Sequence, residues 1–129
     1  MNLARNLERS AAWFPENLAV VEEAGSLTYA ELDRQAGLAA AGLKALGLVP
    51  GDRVALCAPN SGEWLAFYFG VLKLGAVAVT LSSQLTPDEL RLLLGHCRPR
   101  ALYTSANRLP ELAGFTAQAG IEKMICPGG

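Results

Sequence analysis

The sequence contains little charge, and neither sign dominates. Charged residues make up 18% of the 129 positions, where about 25% is usual for a soluble domain. Eleven basic residues against 12 acidic ones give a net charge of −1, which argues against a nucleic-acid-binding protein with a strongly basic face. With 51% hydrophobic residues, the composition is also unlike that of a disordered chain. A folded core that needs neither disulfides nor a metal is therefore expected.

Cysteine and histidine are also scarce. Cys57, Cys97 and Cys126 are widely spaced and form no Cys-x-x-Cys pair, and His96 is the single histidine. Three unpaired cysteines at such spacings are typical of reduced thiols in a cytoplasmic protein, and not of a disulfide framework or a zinc site. We therefore predict no metal ligands, and a structural or surface role for His96 and Cys97.

No apolar run is long enough to cross a membrane. The most apolar stretch, residues 65–81, is interrupted by Gly70, Lys73 and Gly75, and a spanning helix needs about 20 apolar residues. Residues 1–14 include three charges and lack the apolar core and cleavage site of a secretory signal. We therefore predict a cytoplasmic protein without a transmembrane segment.

Capping residues and glycines divide the chain into alternating helices and strands. Thr28 with Glu31, and Thr86 with Glu89, have the spacing of a capping box. The predicted helices are 3–14, 28–46, 61–74, 86–98 and, more weakly, 107–119. The predicted strands are 18–22 and 26–28, which form a short hairpin, and 54–58, 76–81, 101–104 and 123–126. The strands 54–58 and 76–81 show no polar alternation, which indicates burial on both faces.

This alternation predicts an α/β fold with a mainly parallel sheet and helices on both faces, comparable to a flavodoxin-like subdomain. Ligands bind beyond the carboxyl ends of the strands in such sheets. The residues predicted there are mostly neutral and polar: Pro59, Asn60, Ser61, Ser82, Ser83, Gln84, Thr104, Ser105 and Asn107. Neutral groups form hydrogen bonds but are poor acids or bases, and Ser61 is best interpreted as a helix cap.

No catalytic motif accompanies these strand ends. The sequence contains neither Gly-x-Gly-x-x-Gly nor Gly-x-Ser-x-Gly, so dinucleotide-binding and serine-hydrolase sites are not indicated. We therefore predict no catalytic residue and no metal ligand, and we leave cofactor-binding residues unassigned.

Four arginines form a locally basic segment: Arg91, Arg98, Arg100 and Arg108. Acidic neighbours dilute this charge. A solvated face is therefore the favoured interpretation, and phosphate binding is the alternative.

Six aromatic residues form clusters that we interpret as core and not as a ligand box. They are Trp13, Phe14, Trp64, Phe67, Tyr68 and Phe69.

Four segments are informative in a second way. They are LTYAEL at 27–32, GDRVAL at 51–56 followed by PNS at 59–61, FGVLKLGAV at 69–77, and LTPDEL at 85–90. In this order, over residues 18–104, they resemble the amino-terminal elements of the AMP-forming acyl-CoA synthetases and their adenylating relatives.

The resemblance implies a reaction in two steps. ATP and a carboxylic acid give an acyl-adenylate and pyrophosphate, with Mg²⁺ at the phosphates, and the thiol of coenzyme A then displaces AMP. The phosphate loop, the acidic ribose ligand and the catalytic lysine of such enzymes come later in their sequences. Residues 1–129 are therefore expected to be a single α/β unit, the amino-terminal part of a larger adenylate-forming domain.

By itself this part is expected to be inactive and to bind no ATP, Mg²⁺ or coenzyme A. Its expected partners are the remainder of its own polypeptide and a carboxylic acid substrate, not nucleic acid. As an isolated chain it is expected to self-associate through apolar surface.

One segment departs from the family pattern. The family commonly has Pro-Leu-Asn-Pro where this chain has Thr80-Leu81-Ser82-Ser83. The loss of two prolines is expected to leave this loop freer, and it leaves the acyl specificity open. Two other interpretations remain: an amino-acid adenylating domain, and a self-contained flavodoxin-like domain that binds a small ligand or a partner.

Overall fold

The computed structural model describes residues 3–22 and 25–127. Over these residues it contains a two-stranded antiparallel hairpin, a four-stranded parallel sheet, and helices between the strands. The predicted α/β class is therefore confirmed. The contacts separate the chain into a helical unit, Met1–Pro50 with Asn60–Ala76, and a sheet unit, Gly51–Pro59 with Val77–Gly129. The expectation of a single α/β unit within a larger adenylate-forming domain stays a prediction.

The helical unit is built from three helices and the hairpin. Its elements are α1 (Ala4–Trp13), β1 (Leu18–Glu22), β2 (Gly25–Thr28), α2 (Tyr29–Ala45) and α3 (Gly62–Leu74). Strands β1 and β2 pair antiparallel, as predicted, and Glu23 and Ala24 of the predicted turn lie outside the described residues. The core of this unit centres on Leu7, Leu32 and Ala66, one from each helix.

Helix α2 begins at a capping box and ends at a glycine, as its sequence predicts. The Thr28 hydroxyl accepts a hydrogen bond from the Glu31 amide at 3.2 Å, and the Glu31 carboxylate accepts one from the Thr28 amide at 3.0 Å. Gly47 has a φ of 93°, and the Leu48 amide donates to the Leu43 carbonyl at 3.1 Å. This is the Schellman arrangement, which a left-handed glycine permits.

Helix α3 also begins and ends where predicted. The Ser61 hydroxyl accepts from the Trp64 amide at 3.0 Å, and Gly75 follows the helix with a φ of 85°. In its middle, Gly70 crosses α2 so closely that a Cβ there would lie 2.6 Å from the Cβ of Ala39. A side chain at this crossing would therefore force the two helices apart.

The sheet unit carries the parallel strands. Its elements are β3 (Arg53–Cys57), β4 (Val77–Thr80), α4 (Pro87–Cys97), β5 (Ala101–Thr104), a 3-10 helix (Ala106–Leu112), α5 (Thr116–Ala119) and β6 (Lys123–Ile125). The strands are ordered β4-β3-β5-β6. Ala55, Cys57 and Leu102 from the strands pack with Leu90 and Leu94 of α4.

Two elements of the sheet unit differ from the sequence-based expectation. Strand β4 was expected to be buried, but it is an edge strand with one neighbour, and Val77 and Thr80 are exposed. The weak helix predicted over 107–119 is divided into two short pieces. Pro110 lacks the amide that a continuous α-helix needs, and Gly114 has a φ of 77°.

Some apolar residues assigned to the core are exposed. Trp13 and Phe14 are 68% and 53% exposed, so their interpretation as core is wrong, whereas Phe67 is buried as predicted. Leu46, the last residue of the helix predicted over 28–46, is 42% exposed because the helix has already ended there. Among the described residues, no helix combines the length and hydropathy required to span a bilayer.

Candidate functional site

The carboxyl ends of β3, β4 and β5 lie at one edge of the parallel sheet, and polar groups of the sheet unit meet there. The buried Thr104 hydroxyl donates to the carbonyl of Cys57 at 2.7 Å. The Cys57 thiol donates to the carbonyl of Ser82 at 3.4 Å. The structure therefore brings two of the predicted strand-end residues, Thr104 and Ser82, to the end of β3, where they hold neighbouring strand ends together.

Cys57 has the chemistry of a structural thiol. It is fully buried, and burial raises the pKa of the thiol more than the nearby Arg108 guanidinium lowers it. The thiolate is the nucleophilic form of cysteine. Because the thiol stays protonated at neutral pH, Cys57 is not suited to nucleophilic catalysis.

Arg108 is the most connected side chain at this edge. Its guanidinium donates to the carbonyl of Leu85 at 2.5 Å, to the carbonyl of Ser83 at 3.4 Å, and to the Glu111 carboxylate at 2.9 Å. The side chain is only 11% exposed. The hydrogen bond to Glu111 is the main reason that the pKa of Arg108 is raised, against the opposing effect of burial. Arg108 therefore fits neither interpretation of the basic segment: its side chain is not solvated, and its donors are used by protein oxygens.

The side chains of two other arginines of the basic segment are also bonded within the sheet unit. Arg100 pairs with Asp52 at 2.7 Å and with Glu122, and Arg91 donates to the Glu111 carbonyl at 2.6 Å. Arg98 is exposed and follows α4 with a φ of 46°. The solvated-face interpretation is therefore wrong for Arg108 and incomplete for Arg91 and Arg100. Sequence spacing held no signal for the distant partners of these arginines, which lie up to 48 positions away.

In the helical unit, a carboxylate of the same chain lies at the start of α3. The Gly62 amide donates to both oxygens of Glu22 on β1, at 3.1 and 3.3 Å. A negative charge is favourable at a helix N-terminus, because the free amides and the helix dipole both attract it. The Glu22 carboxylate is therefore the negative charge at the start of α3. Ser61, the residue before Gly62, is the N-cap of this helix.

Lys73, the only charge in the apolar stretch 65–81, joins the three helices of the helical unit. Its Nζ lies 2.7 Å from Asp33 on α2 and 2.8 Å from Glu8 on α1, and its side chain is 14% exposed. Burial disfavours the charged form, but the hydrogen bonds to Asp33 and Glu8 outweigh it and raise the pKa of Lys73. Lys73 is therefore a structural cation.

A groove of about 330 Å³ opens within the helical unit beside Tyr29 and Phe69. Its lining is largely apolar, and Asn6 and Ser10 contribute polar groups. Grooves of this size accommodate small apolar groups. Its lining residues supply hydrogen bonds but no carboxylate, imidazole or thiol for acid–base chemistry.

The described residues contain no cluster of metal-ligating side chains. Within 3–22 and 25–127, no group of three or more His, Cys, Asp or Glu could hold a metal ion. The guanidinium at the strand ends, that of Arg108, already donates to protein oxygens. These residues therefore do not fit the groups that the resemblance implies, and no chemical step is assigned to them.

Comparison with known proteins identifies the family. Residues 7–126 match the model of the AMP-binding enzyme family. The long-chain-fatty-acid–CoA ligase FadD13 of Mycobacterium tuberculosis is 35% identical over 120 residues, which cover 92% of this chain and 24% of that protein. A long-chain-fatty-acid–CoA ligase of Thermus thermophilus is 38% identical over 114 residues, which cover 85% of this chain and 21% of that protein.

A solved structure gives the same result for the fold. The crystal structure of the N-terminal domain of FACL13 from Mycobacterium tuberculosis has a TM-score of 0.88 at 32% identity. The match covers 98% of this chain and 34% of that chain. The four segments quoted above, at 27–32, 51–61, 69–77 and 85–90, all lie inside the matched range of 7–126. The chain belongs to the AMP-binding enzyme family.

Proposed function

We propose that this chain is the amino-terminal part of an ATP-dependent acyl-CoA synthetase in the cytoplasm. The complete enzyme converts a carboxylic acid, ATP and coenzyme A to acyl-CoA, AMP and pyrophosphate through an acyl-adenylate, and it requires Mg²⁺. The observation that carries this proposal is the family match over residues 7–126. Support also comes from the two relatives above, both named as CoA ligases, of which the chain spans 24% and 21%.

Within that enzyme, the chain contributes structure and not catalytic groups. The thiol of Cys57, the hydroxyl of Thr104 and the guanidinium of Arg108 are all committed to bonds that hold the strand ends. A proton donor or nucleophile needs a group that can exchange its partner for a substrate. The 129 residues alone are therefore proposed to be inactive and to bind neither ATP nor coenzyme A.

ATP–pyrophosphate exchange tests this proposal directly. The 129-residue chain and the complete polypeptide that contains it are each assayed with fatty, aromatic and amino acids, in the presence of Mg²⁺. The complete polypeptide should exchange with at least one fatty or aromatic acid, and the chain alone should exchange with none. Robust exchange by the chain alone, or none by the complete polypeptide, contradicts the proposal. Exchange with amino acids only identifies the amino-acid adenylating alternative.

A thermal melt tests the remaining alternative of a self-contained ligand-binding domain. A ligand at 100 times its Kd stabilises the folded state by about 2.7 kcal/mol, which a melting curve detects easily. Flavin mononucleotide, ATP and coenzyme A are therefore added separately to the 129-residue chain. We expect no change in Tm, and a rise with any of them favours the ligand-binding alternative.

The isolated chain is also proposed to self-associate. Large apolar side chains are exposed in both units, among them Trp13 and Val21 in the helical unit and Leu92 in the sheet unit, at 68%, 74% and 62%. Exposed apolar surface of this kind favours association. Sedimentation velocity at rising concentration should detect a dimer or larger species. A monomer at every concentration contradicts this proposal.

A further inference from the structure

The loop that follows β4 is ordered by two kinds of hydrogen bond. We call residues 81–86 the strand-end loop. Within it, the Gln84 amide donates to the Ser82 hydroxyl at 3.1 Å, and the Leu85 amide donates to the Ser82 carbonyl at 3.4 Å. These bonds use amide groups of the loop. Its carbonyls at Ser83 and Leu85 accept instead from Arg108.

Arg108 reaches this loop from the 3-10 helix, more than 20 positions further along the chain. One terminal nitrogen, Nη2, donates to Leu85 and Glu111, and the other, Nη1, donates to Ser83 and lies 3.5 Å from the Cys57 sulfur. A guanidinium can do this because its five donors form a rigid planar fork. A lysine ammonium is a single point with a different geometry, so it could keep the charge but not the pattern of bonds.

We infer that Arg108 is a positioning residue that fixes the strand-end loop at the ligand-binding edge of the sheet. The loop lacks the two prolines common in the family, and the fork of Arg108 restrains the same backbone by bonds to two of its carbonyls. The neutral groups of Ser82, Ser83 and Gln84 therefore hold one orientation. In an open α/β sheet this edge is where ligands bind, so Arg108 acts on substrate affinity through the loop.

Hydrogen exchange of the 129-residue chain tests the structural half of this inference. Arg108→Lys keeps the charge but removes the fork, and we expect the amides of Gln84 and Leu85 to exchange at least about tenfold faster, with those of β3 and β5 unchanged. Arg91→Met is the control, because Arg91 donates to the Glu111 backbone carbonyl and to the Asp88 carboxylate, and not to the carbonyls of Ser83 and Leu85 that Arg108 holds. Unchanged exchange in Arg108→Lys overturns the inference, as does an equal increase in Arg91→Met.

A second variant separates the loop bonds from the ion pair. Glu111→Gln removes the carboxylate while leaving the donors of Arg108 directed at Ser83 and Leu85, so the loop amides should keep their protection. If Glu111→Gln loosens the loop as much as Arg108→Lys does, the ion pair and not the fork is responsible, and the inference fails. Circular dichroism of each variant establishes that the fold is retained before exchange is compared.

Kinetics test the functional half, which rests on the proposed function. In the complete acyl-CoA synthetase, Arg108→Lys should raise KM for the carboxylic acid about fivefold and change kcat less than about twofold. The reason is that the loop contributes equally to binding of the substrate and of the transition state, and this binding is weakened. A fall in kcat with unchanged KM overturns the role in affinity. If the wild-type polypeptide shows no ligase activity, the proposed function fails, while hydrogen exchange still decides whether Arg108 fixes the loop.

Discussion

The contacts inside the helical unit differ in kind from the contacts inside the sheet unit. In the helical unit, a glycine lets two helices approach to the point where a Cβ at Gly70 would lie 2.6 Å from that of Ala39. In the sheet unit, arginine side chains bond to backbone carbonyls far along the chain, as Arg53 does with Cys97 at 2.7 Å and Arg108 with Leu85 at 2.5 Å. The first unit should therefore be sensitive to added volume, and the second to lost hydrogen bonds.

The largest effect is expected at the helix crossing. Gly70→Ala should destabilise the chain by about 2–3 kcal/mol, because its methyl group overlaps Ala39 and also meets the Ala36 carbonyl at 3.0 Å. Gly37→Ala on α2 is the control: its Cβ would meet nothing within 4 Å, so it should stabilise by about 0.5–1 kcal/mol. Urea denaturation measures both. Equal stabilities for the two variants would show that the crossing has room.

The next effect is expected at the ion pairs of the helical unit. Lys73→Met should destabilise by about 2 kcal/mol, because it leaves Asp33 and Glu8 without their shared partner. The raised pKa of Lys73 means that this contribution is complete below the unfolded value of about 10.4 and is lost as pH rises through the folded value. Denaturation at pH 7 and above pH 10 should show the difference between wild type and Lys73→Met shrinking.

Lys44→Met provides the comparison for Lys73. Lys44 is exposed in the last turn of α2, and its loss should cost less than about 1 kcal/mol, the usual size of an interaction with a helix dipole. If both lysine variants lose the same stability, the ion pairs of Lys73 contribute nothing beyond a surface charge.

Both units contain a capping box, and removing either box should cost the same stability. Thr28→Ala in the helical unit and Thr86→Ala in the sheet unit each remove a capping box, at about 1 kcal/mol each. Backbone hydrogen bonds from the two threonines lower the pKa of Glu31 and of Glu89. Their contribution is therefore present above the unfolded glutamate pKa and lost as pH falls through the folded one. Unequal losses at neutral pH would show that one box is already strained.

The smallest effect is expected at the end of α4. Arg98 has a φ of 46°, a left-handed conformation that costs a non-glycine residue about 1–2 kcal/mol. Arg98→Gly relieves this strain but adds freedom to the unfolded chain, so a net gain of about 0.5–1 kcal/mol is expected. Gly120→Ala, at a φ of 79°, should have the opposite sign. A rise in Tm for Arg98→Gly and a fall for Gly120→Ala would agree with this account, and two falls would contradict it.

Local signals in the sequence predicted the elements of both units well. A threonine three positions before a glutamate and a glycine after an apolar helix depend only on neighbouring residues, so both capping boxes and the stops at Gly47 and Gly75 were predictable. The position of β4 at the edge of the sheet, and hence its exposure, was not predictable. Whether a strand lies in the centre or at the edge of a sheet depends on the order of strands, which local pattern does not contain.

The candidate site was harder to predict for a similar reason. The strand-end residues were identified because parallel strands place their carboxyl ends at one edge of a sheet. The role of Arg108 was missed, because its acceptors in the strand-end loop lie 23 and 25 positions away and are backbone carbonyls, which every residue has. Lys73 was visible only as an interruption of an apolar stretch, since its partners lie 65 and 40 positions away, at Glu8 and Asp33.

The sheet unit consists of two separate segments of the chain, and this affects how it forms during translation. β3 is made before the segment Asn60–Ala76, which belongs to the helical unit, yet in the sheet it lies between β4 and β5. A growing chain therefore holds every residue of the helical unit once Ala76 has left the ribosome, whereas β3 gains its second neighbour only when Thr104 has followed. Domains tend to fold from the amino terminus as they emerge. During most of that interval β4 is the single partner available to the apolar β3, whose other edge stays open. A chaperone selective for extended apolar segments would have access to β3 at that open edge.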